Sequence, residues 1–125
     1  MSVELLTPIL YNYIMLENRK NPRFQASAHA RIRGVLEGEN ILKDLSITGC
    51  CLECTVITDL QSNVPYQIEI EPEKASQIGK FELTVERRWI HSGDYSSEIG
   101  FFVTASPRGK QFQRYVDYLA YRNSH

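Results

Sequence analysis

The chain has 125 residues, 42% of them hydrophobic, and a formal net charge of -1 at pH 7. This length suits one domain with a real hydrophobic core, and near-neutrality argues against a bulk electrostatic binder of nucleic-acid polymers or membrane surfaces. Because no apolar run approaches the ~18 residues that cross a bilayer, and no basic-then-apolar leader begins the chain, we expect a cytoplasmic protein without a membrane span.

The first predicted element is a short helix over about residues 8–17. Thr7-Pro8 is typical of a helix N-cap followed by a first-turn proline. Behind it, apolar residues recur at the spacing of one helix face, namely Ile9, Tyr13 and Leu16. Pro22 excludes a helical conformation for the residue before it, so the helix ends earlier and a loop follows. We therefore expect a helical extension ahead of the main domain.

The middle of the chain has the pattern of short β-strands. The segments with strand character are 28–36, 41–45, 50–54, 64–70, 81–90 and 98–104. Gly38-Glu39-Asn40 predicts the turn between the first two, and the polar run 92–97 predicts a hairpin loop between the last two. About six short strands with no long helix between them indicate an antiparallel barrel or sandwich.

A second helix is predicted after the last strand. Ser106-Pro107 repeats the pattern of an N-cap with a first-turn proline. One face of the following segment is apolar through Phe112, Tyr115, Val116 and Leu119. Because these positions fall at helical spacing, that face must be buried against another part of the molecule.

Three cysteines lie in one strand, at Cys50, Cys51 and Cys54. The count is odd and the last two form a single C-x-x-C, without a second pair or a nearby histidine to complete a zinc site. We therefore interpret them as small buried strand residues and expect no metal site, and redox activity of Cys51 and Cys54 is the remaining alternative.

The fifth predicted strand contains Arg87-Arg88-Trp89. Successive side chains of a regular strand point to opposite faces. Arg88 and Trp89 are therefore expected on opposite sides of the sheet, with Arg87 on the same side as the tryptophan. An aromatic residue of this size on a strand more often belongs to the core than to a stacking platform, so we expect Trp89 to be a core residue.

Two arginines four positions apart, Arg19 and Arg23, lie in the loop before the first strand, with Asn18 and Lys20 beside them. The planar guanidinium group suits bidentate recognition of phosphate oxygens and of the guanine O6/N7 edge. Two such groups on one loop can converge on a single small anion. Alone, they are better explained as surface arginines flanking a turn, because charge clusters usually form a solvated face.

The run Asp44-Leu45-Ser46-Ile47-Thr48-Gly49 ends one strand and begins the next. A carboxylate can accept hydrogen bonds from both the N1–H and the exocyclic amine of guanine. Ser46, two residues later, is expected on the same side of the strand, where its hydroxyl can support a base or a phosphate. Gly49 suits a position with positive φ, or a backbone that a ligand approaches closely. An ordinary turn between strands is the alternative.

Together, Arg-x-x-x-Arg followed by Asp-x-Ser-x-x-Gly resembles the PilZ family, the bacterial receptor domain for cyclic di-GMP. Residues 98–103, Glu-Ile-Gly-Phe-Phe-Val, look like the family's typical late strand, and a helix follows it. The resemblance covers about residues 18–120. It implies a mainly β fold, a six-stranded antiparallel PilZ-type β-barrel with a C-terminal helix, here preceded by the short N-terminal helix. It places the domain at 18–125, after a 1–17 extension.

The resemblance also implies roles for individual residues. Arg19 and Arg23 would hold phosphates and the Hoogsteen edge of guanine, Asp44 and Ser46 the other guanine, and Gly49 would permit the turn. Asn18 and Lys20 would be secondary contacts. The implied protein is a non-enzymatic cyclic di-GMP receptor without a cofactor, a monomer or homodimer, that changes its arginine loop and N-terminal segment on binding to signal to a protein effector.

Other functions remain open from the residues alone. A PilZ-type fold that has lost its ligand could act as a protein-interaction module through its helices. A binder of single-stranded nucleic acid would use a basic patch made of Arg19, Lys20, Arg23, Arg31 and Arg33, although the overall charge disfavours it. An enzyme is disfavoured, because no paired carboxylates, nucleophile–histidine pair or phosphate-binding loop occur in the sequence.

Overall fold

The computed structural model describes residues 22–55, 60–105 and 110–123. The predicted N-terminal helix, and the boundary between the 1–17 extension and the main domain, lie outside these residues. So do Asn18, Arg19 and Lys20. In the part of the chain that is described, no helix is both long and apolar enough to cross a membrane.

The described residues form a closed antiparallel barrel with strand order β1-β2-β3-β6-β5-β4. The barrel closes where β1 pairs with β4. In chain order the elements are β1 (Phe24–Ile32), β2 (Leu36–Leu45), β3 (Gly49–Cys54), β4 (Tyr66–Glu71), β5 (Phe81–Ser92), β6 (Ser97–Ala105) and α1 (Gln111–Asn123). The predicted six-stranded barrel with a C-terminal helix is thereby confirmed.

Alternating side chains of the strands fill the barrel. On β1, Ala28, Ala30 and Ile32 are buried while the residues between them are at least partly exposed. The helix α1 buries the apolar face that its spacing predicts, through Phe112, Tyr115, Val116 and Leu119. Each large apolar side chain that is fully buried contributes about 1.5–3 kcal/mol, so this continuous core is the main source of stability.

The turn between β1 and β2 differs from the predicted one. It lies at residues 33–35, where Gly34 has a φ of 75°. The prediction at 38–40 was wrong because Asn40 is a buried strand residue, 1% exposed. Its side-chain amide donates hydrogen bonds to three backbone carbonyls, those of Ala30 (3.1 Å), Leu36 (3.0 Å) and Gly38 (3.1 Å). The register between β1 and β2 shifts between Ala30 and Ile32, and these bonds connect the backbone around that irregularity.

Hydrogen bonds from Tyr115, Arg122 and Asn123 attach the helix α1 to the rest of the domain. The Tyr115 hydroxyl donates to Glu73 Oε1 at 2.6 Å, and Arg122 binds the other oxygen of the same carboxylate. Arg122 and Asn123 also donate to the backbone carbonyl of Gln25, at 2.8 and 3.2 Å. Burial, followed by the bond to Glu73, raises the pKa of the Tyr115 hydroxyl, so it stays a donor at any ordinary pH.

Candidate ligand-binding face

Arg23 and Asp44, from the two separate motifs, meet on the barrel surface. Arg23 precedes β1, and Asp44 lies near the end of β2, in register with Gln25. Arg23 Nη1 donates to Asp44 Oδ1 at 3.2 Å, and the two side chains are 25% and 29% exposed. A partly exposed pair of this kind adds little to stability. It does leave a guanidinium and a carboxylate side by side and accessible to a ligand.

Ser46 lies in the turn between β2 and β3, and it is only 1% exposed. Its hydroxyl oxygen accepts hydrogen bonds from the backbone N–H of Thr48 at 3.2 Å and of Gly49 at 3.1 Å. The backbone N–H of Ser46 also donates to the carbonyl of Gly49 at 2.8 Å. The hydroxyl therefore organises the turn that presents Gly49, and direct contact of Ser46 with a ligand stays a prediction.

Position 49 requires glycine because neighbouring atoms lie close to it, and not because its backbone is left-handed. Among the described glycines only Gly34 has a positive φ. A Cβ built on Gly49 would lie 2.9 Å from the carbonyl oxygen of Phe101 and 3.4 Å from Arg23 Nη2. The backbone of β6 and the guanidinium of Arg23 thus both approach this residue closely, while contact of Gly49 with a ligand stays a prediction.

Replacing Gly49 with alanine is expected to damage the fold and the face together. The Cβ would meet a backbone carbonyl, which cannot swing away as a side-chain tip can, so β3 and β6 must separate locally. Overpacking of this kind costs about 1–3 kcal/mol. Urea denaturation of G49A should show that loss of unfolding free energy. G38A, at a glycine whose Cβ meets only one atom at 4.0 Å, is the matched control. Equal stability of G49A and the wild type would contradict the steric explanation.

A continuous outward-facing row connects this corner to β5. Asp44 is in register with Cys51, Cys51 with Gly100, and Gly100 with Trp89. The indole of Trp89 lies directly on Gly100, since a Cβ there would be 2.3 Å from Trp89 Cε2. Trp89 is half-buried on the outside of the barrel, so the expectation of a core residue was wrong.

Arg88 lies on the same outer face. Its guanidinium stacks over the ring of Phe102, 5.1 Å from the centroid. Phe102 and Gly100 are alternate residues of β6 and share a face. The expected opposition of Arg88 and Trp89 was therefore wrong, because a β-bulge between Arg87 and Trp89 interrupts the two-residue period. No glycine or proline in the run signals this bulge, so the sequence offered no means of finding it.

The three cysteines are free and buried. Burial raises the pKa of the Cys50 thiol to about 12, and those of Cys51 and Cys54 to about 11. At neutral pH the thiols are protonated and therefore poor nucleophiles. No group of three potential metal-ligating side chains occurs within the described ranges. The cysteines pack in β3 and give the face no evident chemistry of their own.

A polar groove of about 310 Å³ lies at the other end of β1, away from Arg23. It is lined mainly by charged side chains, which include Arg31, Glu69 and Lys80. Arg31 Nε donates to Glu69 Oε1 at 2.6 Å, so these two opposite charges of the groove compensate each other. At about 3.3 Å per strand residue, Arg31 is some 25 Å from Arg23, too far to belong to the same site.

Comparison with known proteins supports the fold. No family model matches the chain, and no curated protein matches it. Among solved structures, it is similar to the Bacillus subtilis inhibitor of motility, MotI/DgrA, with a TM-score of 0.69 and 17% sequence identity. The match covers 83% of this chain and 50% of that one. The chain thus spans about half the length of that protein, and the likeness shows a common fold.

Proposed function

We propose that this protein is a non-enzymatic cytoplasmic receptor for cyclic di-GMP that transmits binding to a protein effector. The observation that carries the proposal is the Arg23–Asp44 pair, held beside Gly49 at an exposed corner of the barrel. Two motifs that are far apart in sequence converge there. The resemblance of those motifs to the PilZ family, and the PilZ-type barrel that presents them, support this ligand.

The ligand offers two phosphates, each with one negative charge, and two guanines. Arg23 can donate to phosphate oxygens or to guanine O6 and N7. Asp44 can accept from the N1–H and the exocyclic amine of the other edge. Phe102 is in register with Gly49 and 47% exposed, and stacking of a base on such a ring contributes about 1–3 kcal/mol. The face therefore combines charge, directional hydrogen bonds and stacking surface without any catalytic group.

Signalling would arise from the bridge that the ligand makes. Binding would connect Arg19 and Arg23, together with Asn18 and Lys20, to the Asp44–Gly49 turn. This connection would change the orientation of the N-terminal segment, which an effector would recognise. The ligand shifts such an equilibrium only by its greater affinity for the bridged state. In the free state Arg23 and Asp44 form an ion pair with each other. In the bound state the ligand would compete for both side chains, so the two states would differ in these contacts.

Titration calorimetry of the full chain with cyclic di-GMP tests the proposal, with GTP and linear pGpG as controls for guanine and phosphate content. Saturable binding at micromolar concentration or tighter, selective for the cyclic ligand, is the expected result. Absence of heat, together with no thermal shift at high ligand concentration, would rule out the receptor and favour a ligand-independent interaction module on the same barrel.

A further inference from the structure

Arg88 occupies an unusual position on the outer face of the barrel. The β-bulge turns its side chain outward on the same side as Trp89, and the guanidinium lies over Phe102, 5.1 Å from the ring centroid. Phe102 is itself 47% exposed. A cation held over an aromatic ring is positioned by the cation–π attraction. The N–H groups along the edge of the guanidinium remain available as donors.

Arg88 and Arg23 flank one strip of the surface. Phe102 is in register with Gly49 across β6 and β3, and Arg23 Nη2 would lie 3.4 Å from a Cβ on Gly49. Arg88 reaches the other side of the same strip from β5. With strands spaced about 4.8 Å apart, the strands that bear Arg88 and Gly49 are separated by about 10 Å. A ligand with two phosphates and two bases has acceptors to offer at both ends of that span.

The charges of the face are unevenly compensated. Arg23 is paired with Asp44, and Lys43 with Glu98. Glu86 is in register with Phe102, yet no carboxylate forms an ion pair with Arg88 anywhere in residues 22–55, 60–105 or 110–123. Arg88 is thus a preoriented cation, next to the proposed site, with no carboxylate partner among the described residues.

We propose that Arg88 is a further ligand contact, which binds a phosphate or the guanine O6/N7 edge of the half of cyclic di-GMP that lies away from Arg23. This assignment rests on the proposed function and deepens it. It adds an arginine from β5 to the face, beside Arg23 of the N-terminal motif. Phe102 holds Arg88 in place through the cation–π contact.

The test is calorimetric titration of cyclic di-GMP into the full-length wild type, R88A, R88Q and R114A. R88Q keeps most of the side-chain length and removes the charge. Arg114 lies on the exposed side of α1, where it donates to Gln111 at 3.3 Å, and R114A removes an equal charge away from the face. Losing one charge-assisted hydrogen bond should weaken binding by about tenfold in both Arg88 variants, with R114A unchanged.

The melting temperatures of the variants are measured as well. If R88A melts at a lower temperature than the wild type, the affinity of R88Q is used to test the Arg88 contact. Wild-type affinity in a folded Arg88 variant would overturn the assignment of Arg88 while leaving the receptor intact. An equal loss in R114A would also overturn it, because the effect would then be one of overall charge. Failure of the wild type itself to bind would overturn the proposed function, and the Arg88 contact with it.

Discussion

Replacing Arg23 with alanine should weaken cyclic di-GMP binding by about 2–4 kcal/mol, which is roughly 30- to 1,000-fold. Arg23 is the described member of the arginine motif, and its guanidinium lies against both Asp44 and Gly49. Its loss removes the donors for the ligand and also leaves Asp44 without its partner. The unfolding free energy should change by less than about 1 kcal/mol, because partly exposed ion pairs at a protein surface contribute little to stability.

Calorimetric titration and thermal denaturation of R23A measure the two effects separately. R33A is the matched control, since Arg33 lies near the opposite end of β1 and its side chain is 73% exposed. The distance from Arg33 Nη2 to Glu69 Oε2 is 3.9 Å, so this ion pair is weak. R33A should bind like the wild type. A large fall in the melting temperature of R23A would identify the Arg23–Asp44 pair as a structural element of the barrel and would contradict its assignment to a ligand site.

Replacing Tyr115 with alanine is expected to have the largest effect on stability, a loss of about 3–5 kcal/mol. The side chain is fully buried, and its ring centroid lies 5.9 Å from that of Phe81 and 6.0 Å from that of Tyr118. Truncation opens a cavity between helix and barrel. It also removes the hydroxyl that donates to Glu73, so α1 loses apolar and polar attachment together.

Urea denaturation of Y115A and Y115F separates those contributions. Y115F keeps the ring and loses only the hydrogen bond, and should be destabilised by about 1–2 kcal/mol. The remaining Glu73 oxygen contact with Arg122 limits that loss. If Y115A unfolded at the same urea concentration as Y115F, the ring would contribute little, and the helix could not depend on this residue for its attachment.

The fold could be predicted because local patterns and long-range packing agree along most of the chain. Alternation of apolar residues defined the strands, and the apolar face of α1 was buried as its spacing required. The prediction failed at Asn40 because its turn propensity was outweighed by three hydrogen bonds to carbonyls of the surrounding strands. Those bonds exist only once β1 and β2 are paired, so no local rule could supply them.

The candidate site could be predicted in part. The motifs pointed to Arg23 and Asp44, which the structure brings together, while ligand binding by the motif residues stays a prediction. Trp89 and Arg88 were misplaced because a bulge is decided by how β5 pairs with β6, and the strand period alone cannot show it. The aromatic and cationic part of the face therefore emerges only from the folded barrel.

The bonds from Arg122 and Asn123 to the carbonyl of Gln25 place the last described turn of the chain beside its first strand. The start of the first strand and the end of the last helix thus lie at the same corner of the domain. A domain with adjoining ends can be carried inside a longer polypeptide without separating the segments on either side. Arg23 is two residues from Gln25, so the Arg23–Asp44 pair lies close in sequence to the point where the end of α1 meets the first strand.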